Sequence, residues 1–533
     1  MWRVFLRLAG LSLLAWFVVC GASHAQSLRM GYTRPMGLQT PWYNDFGYDP
    51  AYTADFNNRL THREQWNADK EKAQKDSTFN LGPLSSTVYF TQSVGYRNVR
   101  TSGPGAAYLM TNGYGQVVKD GSDFPLVSTL SMNNDVPISE YMDLSATIQL
   151  RYACYPMKTQ QDQFDASLMA EGSELRLKID VTPFIRMVVY DSFQYRTDYV
   201  NDRGMYDTYG GRAYTYIRNT LGATTEWQMA KDKQLILDVN RSDIIPMDTV
   251  DEQLREINYG ETLSYKQQIL PELTGGASVG LSDAEFPNVT NATTWFQEDY
   301  MVFAEVQRRE SDRIRARILD FTKIQAGVGY STGHDLDKPV GLALPGEMQG
   351  PGGSNGTVIG YIDVETQLRP DLVQNANVSR RMRAGQPGTH EIDTEYGYVL
   401  NWRGDASGLS VGTQWTDVEM GDTRYPGYIY WMNRARYWYS ATDRITPFLS
   451  CSYATTRNKK TPQDSAVALS LEDQWDYDVW SVTAGVSFEV FQMFGRPVYF
   501  SISGDHSERV SSEPLLTFAQ DTLLATLTYG YRF

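Results

Sequence analysis

The sequence predicts an all-β fold: a closed, antiparallel transmembrane β-barrel of about twenty strands, or eighteen if the first pair lies outside the wall. Three observations predict it. Tight turns recur along the chain, at "NDVPISEY" (134–141), "VTPF" (181–184), "AKDK" (230–233), "LPEL" (270–273), "ESDR" (310–313), "RPDL" (369–372), "GDASG" (404–408), "ATDR" (441–444) and "FGRP" (494–497). Each is short, built from Pro, Gly, Asp or Ser, and flanked by alternating segments, which is hairpin chemistry. The intervening connections are longer and richer in Gly, Asp and Asn: 199–211, 331–356 and 457–473. Short turns on one side and long loops on the other is the outer-membrane pattern. The third observation is "LLATLTYGYRF" (523–533), where Leu523, Ala525, Leu527, Tyr529, Tyr531 and Phe533 alternate with smaller or polar residues. A period of two is a strand with two unlike faces.

The elements follow in order. Arg3 and Arg7, the apolar run 8–20 and "SHA" (23–25) read as a signal peptide over 1–25. Cys20 follows Val19 rather than a small residue, so it is expected to leave with the signal instead of carrying lipid. Residues 26–84 are turn-rich, then polar and helix-prone, and are expected to form a periplasmic or lumen-facing extension. The barrel is expected over 85–533, with strand segments that include 313–330, 372–383, 390–403 and 428–440. The closing segment, 520–532, should pair with the first, 85–99, because an open edge in lipid leaves backbone groups unsatisfied. A soluble β-helix or sandwich would not need long loops on one side only.

Composition narrows the partners. The chain carries a formal charge of −15, which argues against nucleic acid. Aromatics make up 13%, with 35 Tyr and 12 Trp. Such a chain suits a bilayer of lipid and lipopolysaccharide, where aromatic girdles mark the interfaces. Cys154 and Cys451 are too few and too far apart for a disulfide framework and are expected to be free.

An enzymatic reading finds little. His62 sits in the extension, and His334 and His390 fall at expected loop positions. His506 is flanked by Asp505 and Ser507, but neighbours in a strand point to opposite faces and form no local triad. No Cys/His cluster has metal spacing, so no cofactor and no metal are expected.

Charged ladders are more informative. Arg313, Arg315 and Arg317 share a face opposite Ile314, Ala316 and Ile318. Arg381 and Arg383 share a face with Asn375, Asn377 and Ser379; Glu391, Asp393 and Glu395 lie opposite Ile392, Tyr396 and Tyr398. The apolar faces must meet lipid, so these charges line the lumen. Reversing the chain through "AGQPGT" (384–389) sets Arg383 opposite Glu391 and Arg381 opposite Asp393. Either the pairs brace the wall or they form an ion-lined path for cargo. In "YPGYIYWMNRARYWYS" (425–440), Trp431, Tyr437 and Tyr439 fit an outer girdle. Arg434, Arg436 and Trp438 share the other face, where the indole could stack on sugar rings or simply pack.

The order of segments after residue 85 resembles the β-barrel porins found beside exopolysaccharide synthesis genes. The likeness is carried by "VYFTQSVGYRN" (88–98), "YIRNTLGATTEWQMAKDKQLILDVNRSD" (216–243), "YGETLSYKQQILPELTGGASVGLSD" (259–283) and "TLTYGYRF" (526–533). Terminal "YRF", with Tyr531 and Phe533, also looks like the signature read by the barrel-assembly machinery. The resemblance implies an outer-membrane barrel tied to polysaccharide export or to diffusion, and the expected function is a channel for export or passage of a hydrophilic polysaccharide, neutral or anionic. A general porin for small solutes and a non-conducting scaffold or adhesin are the alternatives.

Overall fold

The structure is a computed structural model. It describes residues 79–81, 84–101, 121–139, 141–157, 163–167, 175–197, 215–247, 255–288, 294–309, 321–335, 355–369, 371–384, 390–404, 406–420, 427–442, 444–459, 476–493, 496–511 and 517–529.

The chain begins its pairing with β1 (Phe79–Leu81), β2 (Leu84–Thr101), β3 (Gly121–Asp123), β4 (Leu126–Ser139), β5 (Met142–Cys154), β6 (Gln163–Ser167), β7 (Leu175–Thr182) and β8 (Ile185–Thr197). It continues through β9 (Thr215–Ala230), β10 (Lys233–Pro246), β11 (Glu256–Leu270), β12 (Leu273–Glu285), β13 (Trp295–Arg309), β14 (Phe321–Asp335), β15 (Asn355–Arg369) and β16 (Leu372–Ala384). The last group is β17 (His390–Arg403), β18 (Ser407–Met420), β19 (Tyr428–Tyr439), β20 (Ile445–Asn458), β21 (Tyr477–Met493), β22 (Arg496–Ser511) and β23 (Phe518–Tyr529).

These segments occupy twenty places in one antiparallel wall. β3 and β4 share a place beside β2, and β6 and β7 share a place between β5 and β8. β1 folds back on Leu84–Ser86, beyond the rung at which β23 ends, so it prolongs the slot of β23. The wall closes where β23 pairs with β2 from Phe90↔Tyr529 to Thr101↔Phe518. Twenty strands, the larger of the two expected counts, and closure through the last segment are therefore what the turn rhythm and the terminal alternation predicted.

The turn chemistry places the hairpins. Pro183, Lys231–Asp232, Pro271–Glu272 and Asp371 each sit between strands that meet within a few residues. Backbone bonds lace this rim: the amide of Gln268 donates to the carbonyl of Asp232, and that of Arg403 to Asp371. Trp402 adds an indole N–H bond to the Asp371 carboxylate at 2.8 Å. At the opposite end the strands reach further than expected. His334 and His390 were expected in loops, yet His334 lies in β14 and His390 opens β17. Residues 331–335 continue the β13–β14 ladder because Gly333 leaves room for the indole of Trp295, which would lie 2.1 Å from a Cβ there.

Parity assigns the two faces. Val302 and Val328 oppose each other, as do Tyr300 and Tyr330, and all four are exposed, with Val302 at 58%. Val358, Ile362, Tyr396, Leu523 and Trp431 continue this outer face. In water such a belt would be costly, at roughly 25 cal/mol per Å² of apolar surface; in lipid it is matched. Cys154 and Cys451 are free cysteines. Among the described residues no helix is long and apolar enough to cross a membrane.

Candidate functional site in the lumen

The inner face differs around the ring. From β20 to β2 it is built of small hydroxyl residues that bond sideways. Ser452 meets Ser481 at 2.8 Å, Thr483 donates to Asp505 at 2.6 Å, and Ser93 meets Thr526 at 2.9 Å across the closing seam. Short side chains fill little of the space that twenty strands enclose.

The β16–β17 hairpin is different. Its register pairs Arg381 with Asp393 and Arg383 with Glu391, as the charge pattern required. The Arg383 guanidinium reaches Glu391 at 2.5 Å and Asp393 at 2.9 Å. Arg381 reaches Asp393 at 3.5 Å and Glu395 at 3.9 Å. Each arginine thus bridges its rung partner and the next carboxylate along. Glu391 and Asp393 are each only 1% exposed. A wet lumen would make such pairs worth a few tenths of a kcal/mol to about 1 kcal/mol. With the carboxylates buried, loss of an arginine strands a charge and costs more, about 3–5 kcal/mol.

The end of this hairpin parts from β15 but keeps its ladder to β18, from Glu391↔Met420 to Asp393↔Val418. β15 and β16 pair from Arg369↔Leu372 to Gly360↔Arg380. Above that rung, among the described residues, 355–359 pair only with β14 and 381–384 only with β17. The tip bends inward instead. Met382 is 4% exposed in a cluster with Ala284, Phe286 and Trp295, and Ile392 packs against it. The His390 imidazole stacks on the Trp295 indole, with ring centroids 4.9 Å apart and planes 13° apart. Gln297 donates from Nε2 to the Met382 carbonyl at 2.9 Å. Ile392 was expected to face lipid. Parity gives it the outer face of its strand, but the strand itself has turned in, so that face meets the inner face of β12 and β13.

Sequence reasoning missed Trp295, Gln297, Met382 and His390. Their only signal is Gly333, which makes a seat for Trp295 on the neighbouring strand. On the outer face, Arg380 bonds Thr394 at 2.7 Å and Glu419 at 3.4 Å, a polar rim just above exposed Val378.

Other expected residues are dispersed. Arg434, Arg436 and Trp438 lie on the inner parity of β19, with Trp431, Tyr437 and Tyr439 exposed opposite them. The Trp438 indole lies against Gly408, where a Cβ would come within 2.5 Å of Nε1. Arg436 sits over the Phe448 ring at 5.9 Å. Trp438 and Arg436 therefore already have packing partners on the wall. Arg313, Arg315, Arg317, Tyr531 and Phe533 lie outside the described residues. His506 bonds Asp521 at 2.5 Å, with Arg100 on the same carboxylate, and Ser507 takes the other parity.

No family model matches this sequence, and no curated protein sequence matches it. Among solved structures, the chain is similar to the FrpB iron transporter from Neisseria meningitidis (F3-3 variant), at 8% identity and a TM-score of 0.45, covering 86% of this chain and 83% of that one. It is similar to Pseudomonas aeruginosa OccK2 (OpdF) in complex with glucuronate, at 9% identity and 0.36, covering 83% and 98%. A BenF-like porin from Pseudomonas fluorescens Pf-5 gives 8% and 0.37, covering 83% and 98%. At these scores the likenesses carry no argument about activity. The closed wall, its apolar outer belt and its polar interior make the chain a bacterial outer-membrane β-barrel.

Proposed function

We infer that this barrel is a channel for a hydrophilic, acid-bearing glycan. One observation supports the reading above the others. The inner face of β20–β23 presents small hydroxyls, and the adjoining β19 presents Arg434, Arg436 and Trp438. Hydroxyls exchange hydrogen bonds with sugar hydroxyls at little cost, guanidinium groups attract uronate or phosphate, and an indole edge adds an apolar contact. The same wall would pass small neutral solutes, so conduction alone does not separate the cargo classes.

The test is single-channel recording of the purified protein in planar bilayers. A steady current, blocked by uronic-acid oligosaccharides and not by equal concentrations of neutral disaccharide, supports the glycan channel. A current indifferent to both makes the protein a general porin. No current makes it a scaffold. Arg434→Gln with Arg436→Gln should weaken oligosaccharide block by about tenfold, the equivalent of about 1.4 kcal/mol.

A further inference from the structure

We propose that the lipid-facing rim of β20–β23 and β2, at the long-loop end, is a binding surface for the phosphorylated glucosamine headgroup of lipopolysaccharide. The inference does not depend on what the lumen passes.

Parity defines the surface. Leu449, Val482, Ile502, Leu523 and Val94 are all exposed, one on each of β20, β21, β22, β23 and β2 in turn, and mark the outward side of the wall. A few residues further along, toward the end where β2 gives way to 102–120 and β20 to 459–476, the same outward positions turn polar. Two neighbouring rungs show it. One runs through Val482, His506, Asp521 and Asn98, and the next through Tyr453, Trp480, Glu508, Ala519 and Arg100.

These groups form one network. Arg457 holds Asp478 at 2.8 Å, and the Tyr453 hydroxyl donates to the same carboxylate at 3.0 Å. The Trp480 indole donates to Glu508 at 3.1 Å and lies against the His506 ring, with centroids 4.7 Å apart. His506 and Arg100 share the Asp521 carboxylate. Beside them Ser122 bonds both Tyr96 and Asn98. The side chain of Arg100 is 60% exposed and that of Arg457 46%, so both ends of the network reach the surface.

Three features specify the occupant. First, the network lies at the long-loop end, whereas toward the short turns the same outward faces present Pro447, Val486, Phe500, Leu527 and Phe90. Long loops are extracellular in such barrels, and the extracellular leaflet is the one built of phosphorylated glycolipid. Second, guanidinium groups match phosphate oxygens, and the amide and hydroxyls of Asn98, Ser122 and Tyr453 suit the amide and hydroxyl groups of an acylated glucosamine. The exposed apolar residues just below meet its acyl chains. Third, the opposite arc of the rim is unlike this one. There the outward positions of β8–β13 carry Asp191, Asp243, Glu261, Asp283 and Glu298 beside Arg241. That arc repels phosphate, which would need a divalent cation to settle on it. On β20–β2 three carboxylates stand against two arginines and His506, near balance, and phosphate can be met directly.

The test is retention of lipid A by the purified, assembled full-length barrel. It is read by native mass spectrometry and by the temperature at which the heat-modifiable form is lost. Bis-phosphorylated lipid A should bind and raise that temperature. Fully dephosphorylated lipid A should bind at least tenfold more weakly. Arg100→Gln with Arg457→Gln should cause the same loss for bis-phosphorylated lipid A, whereas Arg241→Gln on the acidic arc should cause none. EDTA should leave binding to the native protein intact. Equal affinity for dephosphorylated lipid A, or for phosphatidylglycerol, overturns the headgroup site. Full retention by the double variant, or loss in EDTA, moves the phosphate away from these arginines and overturns the surface. A dimer that forms through these strands and excludes lipid A overturns it as well. Should the double variant not assemble, each single variant is read against the same two outcomes.

Discussion

Two seams of the same wall have opposite characters. Between β2 and β23 the ladder runs through twelve consecutive rungs, and the inner face is closed by small groups such as the Ser93–Thr526 pair. Between β15 and β16 the ladder stops at Gly360↔Arg380, and the freed Met382 carbonyl is taken by a side chain from β13. Backbone polarity must be satisfied in both. The first seam does it with its neighbour and is thereby fixed. The second does it with a side chain from β13, Gln297, and leaves the two wall strands apart.

The comparison breaks most sharply at Gly95. A Cβ there would lie 2.2 Å from the Leu523 carbonyl oxygen and 2.5 Å from the Leu524 side chain. Gly95→Leu should abolish the heat-modifiable form on semi-native gels, because backbone cannot move aside without unzipping the seam. Gly504, two strands away, has nothing within 4 Å of its Cβ position, and Gly504→Ala should assemble normally.

The next largest effect belongs to the hairpin. Arg383→Met leaves Glu391 and Asp393 buried without their shared partner and should lower stability to denaturant in micelles by about 3–5 kcal/mol. Arg381→Glu should act in the same direction, and adding Asp393→Arg should recover much of the loss. A double-mutant cycle should give a coupling of about 0.5–3 kcal/mol, and zero coupling would show that the rung is not Arg381↔Asp393. The smallest effect is Ser93→Ala at the closed seam, about 1 kcal/mol for one hydroxyl bond. If it matched Arg383→Met, the two seams would not differ in the way described.

The wall was legible in the sequence because its signals are local. Alternation needs only the next residue, and turns such as Pro271–Glu272 or Lys231–Asp232 announce themselves within four positions. The Arg381–Asp393 register was legible for the same reason: both residues flank one short reversal. The packing of the hairpin's end was not. Met382 and Ile392 carry the residue types of a lipid face, and parity reports which side of a strand a residue takes, not where that side points once the wall bends inward. Trp295 against Gly333 depends on a missing side chain on a neighbouring strand, which no single segment can display.

The closing seam has a kinetic meaning as well. Every other pairing joins strands in successive places of the wall, so most of the ladder can grow hairpin by hairpin with little entropy lost per step. Ser93 and Thr526 are 433 residues apart. Bringing the ends of so long a loop together costs about 5 kcal/mol of chain entropy, and nothing is returned until the first rungs form. Ring formation should therefore be a single late encounter, slow beside the hairpins, with an open and edge-exposed sheet as its precursor.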